Sequence, residues 1–536
     1  MKLMTLAAPP LARSPAAAVV PAALPAPVAK YPGAQALLPA TRVRRVRSLA
    51  MPFTAMFTAL LLSGCALTSG FQPTPAPAVP ASFKELDGRW AAVQPAEAQA
   101  RGEWWKVFGD AQLTELVARA GANNTSIQTA AARLAQARAL SRAADANKLP
   151  EFGLSGGATR QTRQPGFGFP PGAALSTYTA GVNAAWEPDL FGRLAKASNA
   201  AALDAQSREA LLQSTRLLVQ SEVARNYFVL RALDDERALV RQTVSAYRDT
   251  LKLTESRYQA GDVAELDLAR VRTEVAATES QALALDRNRA ELEHALAVLL
   301  GEVPGNFTLA EAEWNGALPV VPPGVPGSVL ARRPDVAAAQ SSMLAAQARA
   351  GIAQTAWFPD VALTANGGYA ANDLSDLFKW PARAWGVGLL LSLPIFDGGR
   401  LEANLQNVNA QWDEAAIGYR EQVLNAFRDV EDQLSGLRLL ADQAQAQGRA
   451  VESAGRATVL STSRYRNGYV SQLELLDARR SELANRRQAL QVRSAQYQAT
   501  VGLIRALGGG WEVAARTSTS SAADAPGVPL AQRAAP

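Results

Sequence analysis

Residues 177–193 read TYTAGVNAAWEPDLFGR: an alternating segment, a proline, and then the first residue of a run without proline that lasts to Gly261. The period changes from two to 3.6 within a dozen residues, so a strand must feed directly into a helix. The stretch 385–400, WGVGLLLSLPIFDGGR, does the same thing again. In the first segment Tyr178, Ala180, Val182, Ala184 and Trp186 share one face, against Thr177, Thr179, Gly181, Asn183 and Ala185. In the second, Trp385, Val387, Leu389, Leu391 and Leu393 oppose Gly386, Gly388, Leu390 and Ser392. Segments of about ten residues with one apolar and one small, weakly charged face are the pattern of a membrane barrel around water. A soluble sandwich can show the same alternation.

The helix that follows is unusually long. Val223, Asn226, Leu230, Leu233, Arg237, Val240, Val244, Tyr247, Leu251, Thr254 and Tyr258 recur at spacings of three and four, and most are apolar, as in a coiled-coil seam. At 1.5 Å per residue the run from Arg193 to the turn near Gly261 is a rod of roughly 100 Å. The whole arrangement occurs twice. Ala135 to Ala139 and Ala346 to Ala350 both read AQARA, and PDLFGR at Pro188 to Arg193 answers PIFDGGR at Pro394 to Arg400. From Arg193 and Arg400 onward a constant offset pairs Ser256-Arg257-Tyr258 with Ser463-Arg464-Tyr465, Gly261 with Gly468, and Leu300-Gly301 with Leu507-Gly508. Such an ungapped offset marks a duplication. Each half reads helix, strand, loop, strand, very long helix, turn, helix. The four strands are expected at 152–160, 177–187, 361–369 and 385–393, with Trp357, Phe358, Trp380 and Trp385 at strand ends, where interfacial aromatics belong. Four strands close no barrel of useful bore, and lipid does not tolerate open edges, so closure requires several chains. Three copies supply twelve strands.

Charge and composition exclude other classes. Of 54 Lys and Arg residues against 48 Asp and Glu, seven cations and no acid lie in residues 1–64. From Cys65 onward, 47 basic residues therefore face 48 acidic ones. A nucleic-acid binder needs a lasting cationic excess, so nucleic acid is excluded as a partner. One cysteine and one histidine, His294, leave no material for disulfides, a Cys-rich zinc site or a His-based catalytic cluster, and His294 reads as structural. No run of 18 uncharged apolar residues exists to span a bilayer as a helix. Gly508-Gly509-Gly510 follows a helix, so it reads as a helix stop rather than a phosphate loop.

At the N-terminus an Arg cluster at Arg42 to Arg47 precedes the apolar run Leu49 to Leu62, the order of a secretory signal. It ends in Leu62-Ser63-Gly64-Cys65, which resembles the bacterial lipobox and implies acylation of Cys65, the chain's only cysteine. Ala66 rather than Asp follows it, which by the lipoprotein sorting rule implies the outer membrane. The expected organisation is a leader and lipoprotein signal peptide over 1–64, a lipid-anchored linker over 65–100, a first repeat over 101–310, a Pro-rich connector over 311–328, a second repeat over 329–511 and a disordered tail over 512–536.

The motif set as a whole is specific: Trp104-Trp105-Lys106-Val107-Phe108 with Asp110 and Leu113, PDLFGR, RRPD at Arg332 to Asp335, FPDVALT at Phe358 to Thr364, LPIFDGGR at Leu393 to Arg400, and LGGGW at Leu507 to Trp511. Over about residues 100–511 the chain resembles the TolC-like outer-membrane factor family, in particular its lipoprotein (NodT-type) branch of multidrug efflux subunits. The resemblance implies a mainly α fold with a β-barrel part: a homotrimer sharing a twelve-stranded outer-membrane barrel that continues as a periplasmic α-helical coiled-coil tunnel. It implies a passive conduit without catalytic residues, metal or cofactor, working with a periplasmic adaptor and an inner-membrane RND transporter, in contact with outer-membrane lipid.

The closed end of that tunnel is expected at the two helix reversals, Tyr258–Asp267 and Tyr465–Asp477, with Gly261 and Gly468 in the left-handed position that ends a helix. Leu473, Glu474 and Asp477 match by position the family's apolar and acidic constriction residues. Ser471-Gln472-Leu473-Glu474 is also a capping box, which gives Glu474 a purely structural alternative. The first repeat carries Leu266 and Asp267 but Arg270 where Asp477 stands, so one repeat alone carries the acidic ring. Three functional readings remain at this point: a small-molecule efflux conduit, a conduit for secreted proteins (type I) or metal cations, and a lipid-anchored coiled-coil scaffold of the envelope that conducts nothing.

Overall fold

The computed structural model describes residues 78–85, 102–162, 174–314, 316–319, 321 and 332–509, all within the unit Phe71–Pro536. Cys65, the leader, the linker up to residue 77, residues 322–328 of the connector and the C-terminal tail lie outside the described residues.

The duplication is visible in element lengths. Helix α1 (Ala111–Asn123) precedes α2 (Thr125–Ala146), strands β1 (Glu151–Thr162) and β2 (Ala174–Trp186), and helices α3 (Arg193–Gln259) and α4 (Glu265–Leu299). The second repeat is α5 (Pro334–Thr355), β3 (Asp360–Ala371), β4 (Arg383–Ser392), α6 (Arg400–Arg466) and α7 (Gln472–Ala506). Helices α2 and α5 have 22 residues each, α3 and α6 have 67, and α4 and α7 have 35. The strands lie where the alternation placed them, one to three residues longer or shorter at their ends.

Both long helices begin in the same way. Gly192 (φ 74°) and Gly399 (φ 88°) turn the chain in the left-handed region just before the first helical residue. The Asp189 carboxylate accepts from the N–H groups of Leu194 and Ala195 at 3.0 and 2.7 Å, and Asp397 accepts from Gly399 and Leu401 at 3.0 and 2.7 Å. Those acceptors satisfy donors that the helix leaves orphaned. This is the physical content of the PDLFGR and PIFDGGR motifs.

The four strands form one antiparallel sheet in the order β1-β2-β3-β4. Its register carries the alternation across all four strands. Phe152, Leu154, Val182, Leu363, Tyr369, Val387 and Leu389 fall on one face, and Ser155, Thr179, Asn183, Thr364, Asn366 and Ser392 on the other. Phe152, Leu154, Trp385, Val387, Leu389 and Leu391 are all exposed, as residues facing lipid must be. On the polar face the Asn183 side chain covers Gly153 and the Asn366 side chain covers Gly386, so one rung sets two central asparagines between two glycines. β1 and β4 are the free edges of this sheet, and lipid requires them to pair with further copies. Trp357, Trp380 and Trp385 are exposed near the strand ends. No described helix is long and apolar enough to cross a membrane.

The short helices stack end to end beside the long ones. The Asn124 side chain, which caps α2, donates to the Leu299 carbonyl at the end of α4 at 2.8 Å. Arg333, which caps α5, donates to the Ala506 carbonyl at the end of α7 at 3.1 Å. Gly301 and Gly508 end α4 and α7 at positive φ, and bulk there would meet Asn123 and Arg332. The main apolar core sits where these joints occur, around the middle of the rods. Trp104, Phe108, Leu113, Phe228, Trp314 and Tyr497 are all buried in it. Asp110 caps α1 through the Leu113 N–H at 2.9 Å and accepts from the Tyr227 hydroxyl at 2.5 Å. Burial and the Asp110 charge push Tyr227 up to about 12.

One seam expectation is corrected. Val240, Val244, Tyr247 and Thr254 are buried as expected, but Tyr258 is 41% exposed. It lies within the last two residues of α3.

Candidate functional site

The two helix reversals obey one geometry. After α3 the N–H of Gly261 donates to Tyr258 O at 3.0 Å and that of Asp262 to Arg257 O at 2.9 Å. After α6, Gly468 donates to Tyr465 O at 3.0 Å and Tyr469 to Arg464 O at 2.9 Å. Gly261 and Gly468 have φ of 80° and 76°. Each reversal is thus a Schellman stop closed by glycine, as the sequence requires.

Helix α7 then starts with Ser471, whose hydroxyl accepts from the Glu474 N–H at 3.3 Å. Only this half of the capping box forms among the described residues; the Glu474 carboxylate makes no hydrogen bond there and is exposed. Leu473, Glu474 and Asp477 are all exposed, at i, i+1 and i+4 of the first turns of α7, and so share one face. Leu475 and Leu476, on the other face, are 2% and 1% exposed. Asp477 is paired with Arg480 at 3.3 Å. In the first repeat Asp267 pairs in the same way with Arg270, at 3.5 Å.

The buried face of α7 is bonded to the other repeat. Gln472 donates to the Thr254 hydroxyl at 2.9 Å, with both side chains buried, and Arg479 donates to the Thr250 hydroxyl at 2.7 Å. At the edge of that face the half-exposed Arg480 is paired with Glu274 of α4, which raises the guanidinium above its ordinary value. Arg487 donates to Glu236 at 2.6 Å. Arg257 lies over the Tyr465 ring, 5.4 Å from its centre. The first four contacts hold α7 against α3 and α4, and the last joins α3 to α6. Sequence reading identified Thr254 as a seam position but missed Gln472, Arg479, Arg480 and Glu274. Their only signal was polar residues at positions where the seam periodicity wanted apolar ones.

His294 is exposed on α4, and among the described residues no group of three His, Cys, Asp or Glu side chains is arranged to hold a metal ion.

Residues 116–302 and 325–509 match the family model described as outer membrane efflux protein, one match per repeat. The pyoverdine export outer membrane protein OpmQ of Pseudomonas aeruginosa is 33% identical over 459 residues, covering 84% of this chain and 96% of that protein. The toluene efflux pump outer membrane protein TtgI of Pseudomonas putida is 33% identical over 474 residues, covering 85% and 98%. The cation efflux system protein CusC of Escherichia coli K12 is 30% identical over 454 residues, covering 84% and 98%. Among solved structures, the outer-membrane channel OprN superposes with a TM-score of 0.74 at 30% identity, covering 82% of this chain and 99% of OprN. VceC of Vibrio cholerae superposes with a TM-score of 0.72 at 29% identity, covering 76% and 99%. The sheet is therefore one third of a trimeric twelve-stranded outer-membrane barrel, and the helices are part of the tunnel below it. The chain belongs to the outer membrane efflux protein family and is an outer-membrane channel of the tripartite export type.

Proposed function

We propose that the chain is a passive exit conduit for small molecules, closed at the first turns of α7 by Leu473, Glu474 and Asp477. The observation that carries this reading is the division of α7 into two faces. One face presents those three exposed side chains, and the other is bonded to α3 through Gln472 and Arg479. Three chains bring three copies of each residue to a common axis. Leucines there narrow the opening, and the carboxylates attract cations and repel anions over a range of about 10 Å at 0.1 M salt. Arg480 offsets part of that charge, because it pairs with Asp477.

The partners of this reading are a periplasmic adaptor at the helix tips and an inner-membrane RND transporter that supplies energy and selects the substrate. The three relatives carry the words pyoverdine, toluene and cation at nearly equal identity, which supports selection by the inner-membrane partner rather than by this chain. In the same reading Cys65 carries the lipid anchor.

Planar-bilayer recording of Leu473→Ala/Asp477→Ala tests the gate. A higher single-channel conductance with weaker cation preference supports it. Parent-like conductance and selectivity would move the constriction elsewhere.

A further inference from the structure

Between α3, α6 and α7, just above the reversals, lies a cleft of about 220 Å³ whose lining includes Gln242 and Tyr247 of α3, Thr458 and Thr462 of α6, and Arg479 and Leu483 of α7. One water needs roughly 10–15 Å³, so the space accepts a ligand rather than a single solvent molecule. Two of its polar groups are incompletely used. Tyr247 is 1% exposed, yet its hydroxyl has no hydrogen-bond partner. A buried polar group left unpaired costs free energy and calls for an explanation. Arg479 donates through one nitrogen to Thr250 and has no carboxylate partner among the described residues. Burial pushes this guanidinium down, and the charge of Arg466 pushes it further the same way.

The surrounding carboxylates are already taken. Glu482 pairs with Arg486, Glu236 with Arg487 and Glu274 with Arg480. Glu482 and Arg486 of the lining offset each other, and Arg479 and Arg466 have no carboxylate pair among the described residues, so the net charge at the cleft is positive. An anion there finds a charge-assisted donor on α7 facing a neutral donor on α3.

We propose that this cleft is a binding site for a small oxyanion, held by the Arg479 guanidinium and the Tyr247 hydroxyl, and that its occupancy fastens the closed joint between the repeats. The ligand bridges two helices that must part when the gate opens. Parting them removes one of its two anchors, so by linkage the bound anion favours the closed tunnel. The regulatory half of this proposal rests on the gating reading above, whereas the binding half does not.

Equilibrium dialysis of the full trimeric protein against radiolabelled inorganic phosphate, at constant ionic strength set by chloride, tests the site. We expect one saturable site per chain, lost in Arg479→Gln and weakened about tenfold in Tyr247→Phe. Because the hydroxyl is unpaired in the empty cleft, Tyr247→Phe removes no existing bond and leaves folding intact. Absent binding in the parent, or binding unchanged in both variants, overturns the site. In bilayers, saturating phosphate should lower the open probability of the parent but not of Arg479→Gln. Phosphate binding that depends on Arg479 without any effect on opening overturns the fastening role alone.

Discussion

Arg480 of α7 grips Glu274 of α4, 206 positions away in sequence, and through its other terminal nitrogen pairs with Asp477 on its own helix at 3.3 Å. In the proposed gate, one side chain therefore connects the acid of α7 to the joint between α7 and α4. Glu274 is nearly buried, with 12% of its side chain exposed, whereas Arg480 is half exposed. The pair is screened on one side, which limits its value to about 1 kcal/mol.

Arg480→Ala should loosen this joint and shift its opening equilibrium by about fivefold per chain. It also unmasks Asp477, so conductance should rise together with cation preference. That direction is opposite to the selectivity change expected for Asp477 removal. Bilayer recordings at low salt separate the two outcomes, and Glu274→Ala combined with Arg480→Ala should add little to either alone.

Tyr227→Phe tests the waist. The hydroxyl donates to Asp110, and its value is raised from 10.0 to about 12. A raised tyrosine favours the neutral form in the folded state. Its contribution is thus complete below about pH 10 and is lost as pH rises from about 10 through about 12. The variant should melt lower at neutral pH, by about 1 kcal/mol of stability, and should lose less on going to alkaline pH. Thermal melting of the detergent-solubilised protein from pH 7 to 11.5 measures both.

Arg333→Lys should be costly despite the retained charge. Arg333 spans Asp335, Asp429 and the Ala506 carbonyl, with 8% of its side chain exposed. A lysine offers one point charge in place of a fork, so at least one buried partner is abandoned. A loss of about 2 kcal/mol is expected. Burial would raise the Asp335 carboxyl, but Arg333 outweighs it and holds the group below its ordinary 3.8. Its stabilisation is therefore present above about pH 4 and lost as pH falls through the lowered value. The lysine variant should show less of this acid sensitivity in melts between pH 2 and 5.

Mass spectrometry of the mature protein should find an acylated Cys65 as its first residue. Cys65→Ser should abolish that mass increment while leaving trimers that insert through the barrel. An unmodified N-terminus elsewhere would remove the anchor from the proposed function.

Much of the architecture could be read from the chain because it depends on local periodicity. The strands at 177–187 and 385–393 alternate over enough residues to name both faces, and the register aligned those faces across the whole sheet. The 67-residue helices were legible because nothing between Arg193 and Gly261 can stop a helix, and a left-handed glycine then must. The proposed constriction residues Leu473, Glu474 and Asp477 fall on one side of α7 by helical geometry alone.

What tertiary structure decided is which polar groups meet across the duplication. An identical offset suggests equivalent repeats, yet Arg480 finds Glu274, Gln472 finds Thr254, and Arg479 finds a hydroxyl but no carboxylate. Tyr258, a seam position by spacing, is 41% exposed within the single chain, at the end of α3. Periodicity states which side of a helix is buried, since it follows from the backbone's own repeat. It carries nothing about the partner on the far side, because that depends on how two rods more than 200 residues apart in sequence are aligned along their axes. The strands and helices thus belong to the sequence, and the joint between the repeats belongs to the packing.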